Sequence, residues 1–600
     1  METAKGPSDT TSAITPSPSA HTLLRSGDMF VRTTSRKNKD GTTVRYLQLA
    51  HNEWDPIAKA AKMKVLHNFG REDQIDRAAV ERLVGSLCRL LDPGRAAALT
   101  SGAELTFIGS AAYGGLYLLD QLWQLKIDTI MARILASTRR SPFTERVLFA
   151  LVANRALDAS SKLAASHWIG RNAHIDGLPA CSDDACYRAM DWLHQVQNSV
   201  ERKVFDQVGT LLNLEVDLLF FDTTSTYFEI DEGDEPIARD QRGVPLPDPG
   251  NTGEEDGGGP VMKGFRTRGK SKDHRDDLPQ IVIGMAVTRD GIPVRIWSWP
   301  GNTTDTALIR QVKDDMRDWT LSKIVWVGDR GFASADNRRY LRQGDHHYII
   351  GERLRSGSAE AKAALSRQGR YQDVAENLKV KEVRIGETDR FVICFNPDGA
   401  ERDAAIRERL VTQLEELIAG TDTLSATKRA ELRGVISTKP GLNRYLRTTP
   451  NGLLRIDAAK VKAETNLDGK YLLRCSDPKL PAEDIALGYK QLLEVERGWR
   501  DMKQVIDLRP VYHRLEERIR AHVILCWLAL LLIRIIETTT GTTWRRIRTE
   551  FDLLTVATFT GPTGTFRQRA ELTKPQRDIL AKLDIPTPKK IVEATPAADA

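Results

Sequence analysis

The sequence predicts a mixed α/β fold, and three observations carry that prediction. Residues 216–221 form a nearly continuous apolar run that stops at Asp222, and residues 323–328 form a second that stops at Asp329. Apolar side chains on both faces of a strand indicate burial on both faces. Between the two runs lie a hairpin signal, Asp290-Gly291, and a helical stretch at 306–318. A short helix at 335–343 and a strand at 347–351 complete the order strand, hairpin, helix, strand, helix, strand, which describes a sheet with helices packed on it.

The remaining elements follow in chain order. Residues 1–27 open with eight Ser/Thr and three Pro in the first twenty positions, a tail too polar to order itself. Residues 28–71 are a small N-terminal β module, with strands at 29–35, 43–52 and 62–69 and a turn signal at Asp40-Gly41. Residues 72–212 read as a helical domain, a candidate DNA-binding unit, with apolar spacing at 77–91, 114–135, 143–157 and 187–212. The first part of the sheet core spans 213–353. Inside it, residues 229–256 hold ten acids and two bases and lead into Gly257-Gly258-Gly259, which predicts an excursion from the sheet. Residues 354–480 read as a separate β-containing insertion domain with two charged helices. The core resumes at 481–540, with helices at 483–503 and 513–538, and 541–600 is expected to be a C-terminal helical tail.

At 600 residues the chain holds several domains. Its 41% apolar and 28% charged residues suit a globular protein and exclude a fibrous or disordered one. The net charge of +6 is mild, so the clustering of charge says more than the total. Six cysteines (Cys88, Cys181, Cys186, Cys394, Cys475, Cys526) form no CxxC pair, so neither a structural zinc site nor a disulfide framework is expected, and a reducing compartment fits. No secretory h-region is visible at the start, and the apolar run 523–536 holds Arg534 and is shorter than the ~20 residues a bilayer needs. The expectation is a cytoplasmic protein without a membrane span.

The chemistry gathers at three places. Asp222 and Asp329 stand where buried strands end, which fixes the backbone and presents the carboxylate at the sheet rim; strand-terminal Asp is also an ordinary turn former. On the helix at 483–503, Tyr489, Glu496 and Lys503 are spaced by sevens and share a face. Glu494, ~200° around that helix from Glu496, should point elsewhere.

Together these residues resemble a family. Phe221-Asp222-Thr223-Thr224, Gly328-Asp329-Arg330-Gly331-Phe332 and the Tyr489 helix look like the three catalytic blocks of DDE-type insertion-sequence transposases, in the branch with a Y-x2-R-x3-E-x6-K signature. Leu278-Pro279-Gln280, Gly301-Asn302-Thr303-Thr304-Asp305 and Arg509-Pro510-Val511-Tyr512-His513 running to His522 also look familial. Leu492 stands where the signature has Arg. The resemblance implies an RNase H-like core interrupted by the insertion. It implies that Asp222, Asp329 and Glu496 hold two Mg²⁺ ions, with Mn²⁺ as an alternative, since hard cations take oxygen ligands. It further implies cleavage of insertion-sequence ends and strand transfer into target DNA, double-stranded DNA with terminal inverted repeats as partner, a homodimer in the active complex, and a nucleoid-associated place in the cytoplasm.

Tyr489, Lys503 and Arg500 are candidate DNA contacts beside the acids. The basic run Lys263, Arg266, Arg268, Lys270, Lys272, Arg275 reads either as a DNA-backbone strip, with Lys270, Lys272 and Arg275 foremost, or as a solvated loop balancing the acidic one before it. Trp544-Arg545-Arg546-Ile547-Arg548 either binds DNA or caps a helix. Trp499 is expected in the core, and His513 and His522 are expected to pack rather than bind metal. Two other functions compete: a co-opted copy that only binds DNA, and an RNase H-like nuclease without strand transfer.

Overall fold

The computed structural model describes residues 29–38, 42–55, 60–76, 105–125, 127–211, 218–240, 242–246, 261–317, 324–386, 389–561 and 564–596, with a few isolated positions between 79 and 87 and Trp319. The expected tail at 1–27, the Asp40-Gly41 turn, most of the helix at 77–91 and the glycine run at 257–259 lie outside the described residues. The chain divides into two compact units, Met1–Thr106 and Phe107–Ala600.

In the first unit β1 (Met29–Lys37), β2 (Thr43–Asp55) and β3 (Ala60–Arg71) form an antiparallel sheet in the order β1-β2-β3. Burial alternates along β1, as a strand with one covered face requires.

The second unit begins within β4 (Thr106–Ala112) and continues with helices α1 (Gly114–Gln124), α2 (Ile127–Ala136), α3 (Phe143–Leu157), α4 (Lys162–Arg171), α5 (Asp183–Gln195) and α6 (Gln197–Leu211). Ser161 and Ser182 cap α4 and α5 by accepting hydrogen bonds from backbone N–H groups of the first turn. The sheet then begins with β5 (Leu218–Tyr227), followed by the small pair β6 (Ile237–Arg239) and β7 (Val261–Lys263). Next come β8 (Gln280–Val287), β9 (Pro293–Pro300), α7 (Asp305–Asp315), β10 (Val325–Gly328), α8 (Ala335–Leu341) and β11 (His347–Glu352). Gly291, with φ 75°, makes the β8–β9 turn. Alternate residues of β5 serve opposite layers. Phe220 joins the core beneath the helices of the carboxyl-terminal half, and Phe221 joins a second core containing Trp297, Trp299 and Trp326 under α7 and α8.

The segment 354–480 departs from the expected separate lobe. It holds α9 (Ala359–Ser366), β12 (Gln372–Ala375), β13 (Leu378–Ile385), β14 (Asp389–Phe395), α10 (Pro397–Ile418), α11 (Ala426–Ser437), α12 (Pro440–Asn443), β15 (Leu446–Thr448), β16 (Leu454–Ile456), α13 (Ala458–Thr465) and β17 (Lys470–Cys475). β17 pairs antiparallel with β11, and β14, β13 and β12 add outward from it. The result among the described residues is one nine-stranded sheet in the order β12-β13-β14-β17-β11-β10-β5-β8-β9. The reason is physical: β11 is buried along its length, so its open edge needs a hydrogen-bonding partner. What has its own core is narrower. Leu414, Ile436, Leu442, Tyr445, Leu446 and Leu454 cluster among α10–α12, β15 and β16.

The helix expected at 483–503 is two helices, α14 (Ala482–Lys490) and α15 (Leu493–Gln504). The break is a tight turn in which Gln491 N–H donates to Gly488 and Leu492 N–H to Tyr489. α16 (Glu516–Thr540) is apolar on every side and, by length and composition, long enough to cross a membrane. Here it is buried within the protein, packed by α3, α5, α15 and β9, which is where an all-apolar helix belongs in a folded core. Arg534 in its middle pairs with Asp501 of α15 and with Glu537, each at 2.6 Å, tying α15 to α16.

The helical tail expected at 541–600 is a correction. After α17 (Trp544–Phe551) come β18 (Thr555–Gly561), β19 (Gly564–Arg569), α18 (Lys574–Lys582) and β20 (Ile591–Pro596), in a sheet ordered β20-β19-β18-β4. The Thr, Val and Phe of 555–560 and the Gly-Pro-Thr-Gly sequence at 561–564 are strand and hairpin signals that the helical reading passed over.

Candidate active site

Register brings the two strand-end acids together. β5 and β10 are parallel neighbours with Gly328 opposite Phe221, so the next residues, Asp329 and Asp222, stand side by side on strands ~4.8 Å apart. Asp222 opposes Met285 on its other flank. Burial pushes the Asp222 carboxyl above its ordinary range, Lys272 opposes that shift, and the negative charges of Asp305 and Asp329 add to it.

A cation sits among these oxygens. Lys272 Nζ donates to Thr223 O and Thr223 Oγ1, both at 2.6 Å, and lies 3.6 Å from Asp222 Oδ1 and 3.7 Å from Asp305 Oδ2. Thr223 Oγ1 in turn donates to Asp305 Oδ1 at 2.6 Å. Asp305 is the first residue of α7, where a carboxylate also suits the helix N-terminus.

The third wall comes from α14, α15 and the loop after them. Tyr489 OH donates to Asp329 Oδ1 at 3.3 Å, and burial beside that carboxylate raises the phenol's pKa. Lys503 Nζ donates to Thr224 Oγ1 at 2.8 Å and Asp273 Oδ1 at 2.9 Å. Arg509 Nη1 lies 3.1 Å from Asp273 Oδ2, with its guanidinium 4.7 Å from the centre of the Tyr227 ring. Burial holds the Lys503 ammonium below its usual range, against the attraction of Asp273.

The other candidates fall as follows. Glu496 and Arg500 are exposed, and neither side chain makes a hydrogen bond or ion pair among the described residues. No group of three His, Cys, Asp or Glu among the described residues is close enough to hold a metal ion. Glu494 faces the Gly291 turn and Arg497. Arg497 is paired with Glu537 at 2.9 Å, and Leu492 is buried in the helix break. The basic run is not uniform. Lys270 is exposed, Arg275 forks onto Asp277 with two bonds of 2.8 Å, Arg266 is paired with Asp234, and Lys272 lies inside the acid cluster. Trp499 is in the core, and Trp544 packs inward with its Nε1 donating to Ala156 O at 3.2 Å. His513 and His522 pack ring to ring at 5.6 Å, with His522 Nε2 3.1 Å from Leu508 O. Asp305, Thr223, Asp273 and Arg509 were not singled out from the sequence. Asp305 and Arg509 lie in the two further familial segments, which carried no chemistry of their own.

A family model described as "Transposase DDE domain" matches residues 244–532, which include Asp329 and Glu496 but not Asp222. A second, "IS1634 family transposase, N-terminal domain", matches residues 31–96. The mixed sheet and these two matches define a DDE transposase, an enzyme that cleaves DNA and transfers strands. Within that class the chain is an insertion-sequence transposase whose residues 31–96 are similar to the N-terminal domain of the IS1634 family. No curated protein matches it. Among solved structures it is similar to a cryo-EM structure of the piggyBac transposase synaptic complex with hairpin DNA, at 12% identity over 75% of this chain and 81% of that one, with a TM-score of 0.31.

Proposed function

We propose that Asp222, Asp329 and Glu496 are the three acids of this transposase, on an RNase H-like core. The order β9-β8-β5-β10-β11, with β5, β10 and β11 parallel and β8 and β9 antiparallel to their neighbours, supports that core. The observation that carries the proposal is the pairing of Gly328 with Phe221, which sets Asp329 beside Asp222. Two helix contacts support Glu496. A Cβ on Gly488 of α14 would lie 3.0 Å from Leu218, and Lys503 of α15 bonds Thr224. Glu496 lies between Gly488 and Lys503 in the chain, as Asp222 lies between Leu218 and Thr224.

The residues fit hard divalent cations. The Lys272 ammonium is met by oxygens of Asp222, Asp305 and Thr223, the donor type such ions take. Two Mg²⁺ ions, or Mn²⁺, held by Asp222, Asp329 and Glu496 would supply activation of a water or DNA 3′-OH and charge stabilisation at the leaving oxygen. The protein does the rest. Tyr489 orients the Asp329 carboxylate through its hydroxyl. Lys503 and Arg500 hold the phosphate against the acids, and the exposed Lys270 follows the DNA backbone, whereas Lys272 is engaged by Asp222 and Asp305 and Arg275 by Asp277. The DNA is the terminal inverted repeats of the element and a target duplex, engaged by a homodimer in the cytoplasm at the nucleoid.

The test is incubation of the protein with Mg²⁺ and labelled DNA carrying the element's ends. Joined products are expected. Cut products alone would support a nuclease, and bound intact DNA a co-opted regulator.

A further inference from the structure

The dipeptide Lys272-Asp273 places two opposite charges in the two halves of the site at once. The Lys272 ammonium lies among Asp222, Asp305 and Thr223. The next residue, Asp273, presents one oxygen to Lys503 at 2.9 Å and the other to Arg509 at 3.1 Å. Its carboxylate is 15% exposed, as is Lys503, so a phosphate cannot reach Lys503 by that side while Asp273 remains. The pattern is a positive group on the acids and a negative group on the bases, which is the pattern a divalent cation and a DNA phosphate make together.

We infer that Arg509 joins Lys503 as a phosphate-binding pair, and that Lys272-Asp273 holds the places of cation and phosphate until both arrive. This rests on the reading of Asp222 as a metal-binding acid. The two residues share one short turn. Ser271 N–H donates to Asp276 Oδ1 at 2.6 Å and Asp273 N–H to Ser271 Oγ at 3.1 Å, so their turn is closed on itself, and Lys272 N–H anchors it to Ser225 Oγ at 2.9 Å. Arg509 is kept in place by the Tyr227 ring at the end of the strand that carries Asp222.

The experiment uses the full chain, Mn²⁺ alone followed by calorimetry, and a random-sequence 30-base-pair duplex without metal followed by anisotropy. Lys272→Met leaves both ion pairs of Asp273 intact and is expected to tighten Mn²⁺ binding severalfold. Asp273→Asn is expected to tighten duplex binding roughly 5–10-fold at 0.1 M salt for each phosphate gained, with a salt slope steeper by about 0.9. Asp277→Asn removes the same charge from the same loop but faces Arg275, and is expected to change duplex affinity by less than about twofold, as a long-range screened charge does. Arg509→Gln in the Asp273→Asn background is expected to cancel the gain. Unchanged Mn²⁺ affinity in Lys272→Met, or equal gains in Asp273→Asn and Asp277→Asn, overturns the inference. Asp222→Asn separates the two levels. If it binds Mn²⁺ like wild type, the acid-site reading falls as well. If it loses Mn²⁺ while Lys272→Met and Asp273→Asn behave like wild type, this inference alone falls.

Discussion

One hydroxyl meets the Asp329 carboxylate. Tyr489 donates to it at 3.3 Å and is packed against β11, and the part proposed for it is to orient an acid. Tyr489→Phe is expected to slow cleavage about tenfold, equivalent to ~1.4 kcal/mol, with end-DNA affinity unchanged. A fall in affinity at unchanged cleavage rate would return Tyr489 to the phosphate role that the sequence suggests. Away from the site, Lys162 is 2% exposed and no carboxylate among the described residues lies within ion-pair distance of it. Burial, helped by Arg155, pulls its pKa down to about 7. The unfolded chain takes up that proton below about 10.4 and the folded one only below about 7. This lysine's contribution to stability therefore rises as pH goes from about 7 to 10 and levels off at its lowest below about 7, where both states hold the proton. Lys162→Met should raise the melting temperature at pH 7, and the gain should shrink at pH 10. An equal gain at both would show that the lysine is charged throughout.

The break between α14 and α15 illustrates what an element hides from its sequence. Tyr489, Glu496 and Lys503 keep helical spacing across Gln491 and Leu492, so periodicity alone runs the two helices together. β5 and β10 were legible because strands buried on both faces carry continuous apolar runs. The pairing of β17 with β11 was not, because partners more than a hundred residues apart leave no local signal. The contact of β11 with α14 yields a sharp prediction. A Cβ on Gly351 would stand 2.4 Å from Tyr489 Oη but 3.2 Å from Cζ. Gly351→Ala should destabilise by about 1–3 kcal/mol and slow cleavage, as overpacking displaces the ring. In Tyr489→Phe the clash eases, so the double variant should be little worse than Tyr489→Phe alone. Strict additivity in that cycle, read by thermal melts and single-turnover cleavage, would show that Gly351 does not seat the tyrosine.

At the scale of the molecule the chain threads one sheet from 218 to 475 and carries a helical excursion out of it and back. Phe395 pairs with Lys470, and Asn396 N–H donates to Gly469 O at 2.8 Å, so the excursion begins and ends at one point. Replacing 397–468 by a short glycine-asparagine turn should leave a cooperatively unfolding protein that still binds Mn²⁺, because the strands on each side keep their partners. Loss of the folded state would mean that the excursion supports the sheet. The three acid blocks could be read from the sequence because each stands at the end of an apolar run or on a periodic helix. Asp305 and Asp273 escaped that reading because their partners, Lys272, Lys503 and Arg509, are brought to them only by the fold. The most direct test of the account is the yield of cut and joined product from labelled element ends in Mg²⁺, compared for Asp222→Asn, Asp329→Asn, Glu496→Gln and Glu494→Gln. The expected result is bound, uncut DNA for the first three and near-normal product for Glu494→Gln. Near-normal cutting by Asp222→Asn or Asp329→Asn, or by Glu496→Gln with failure of Glu494→Gln, would contradict the assignment of the three acids.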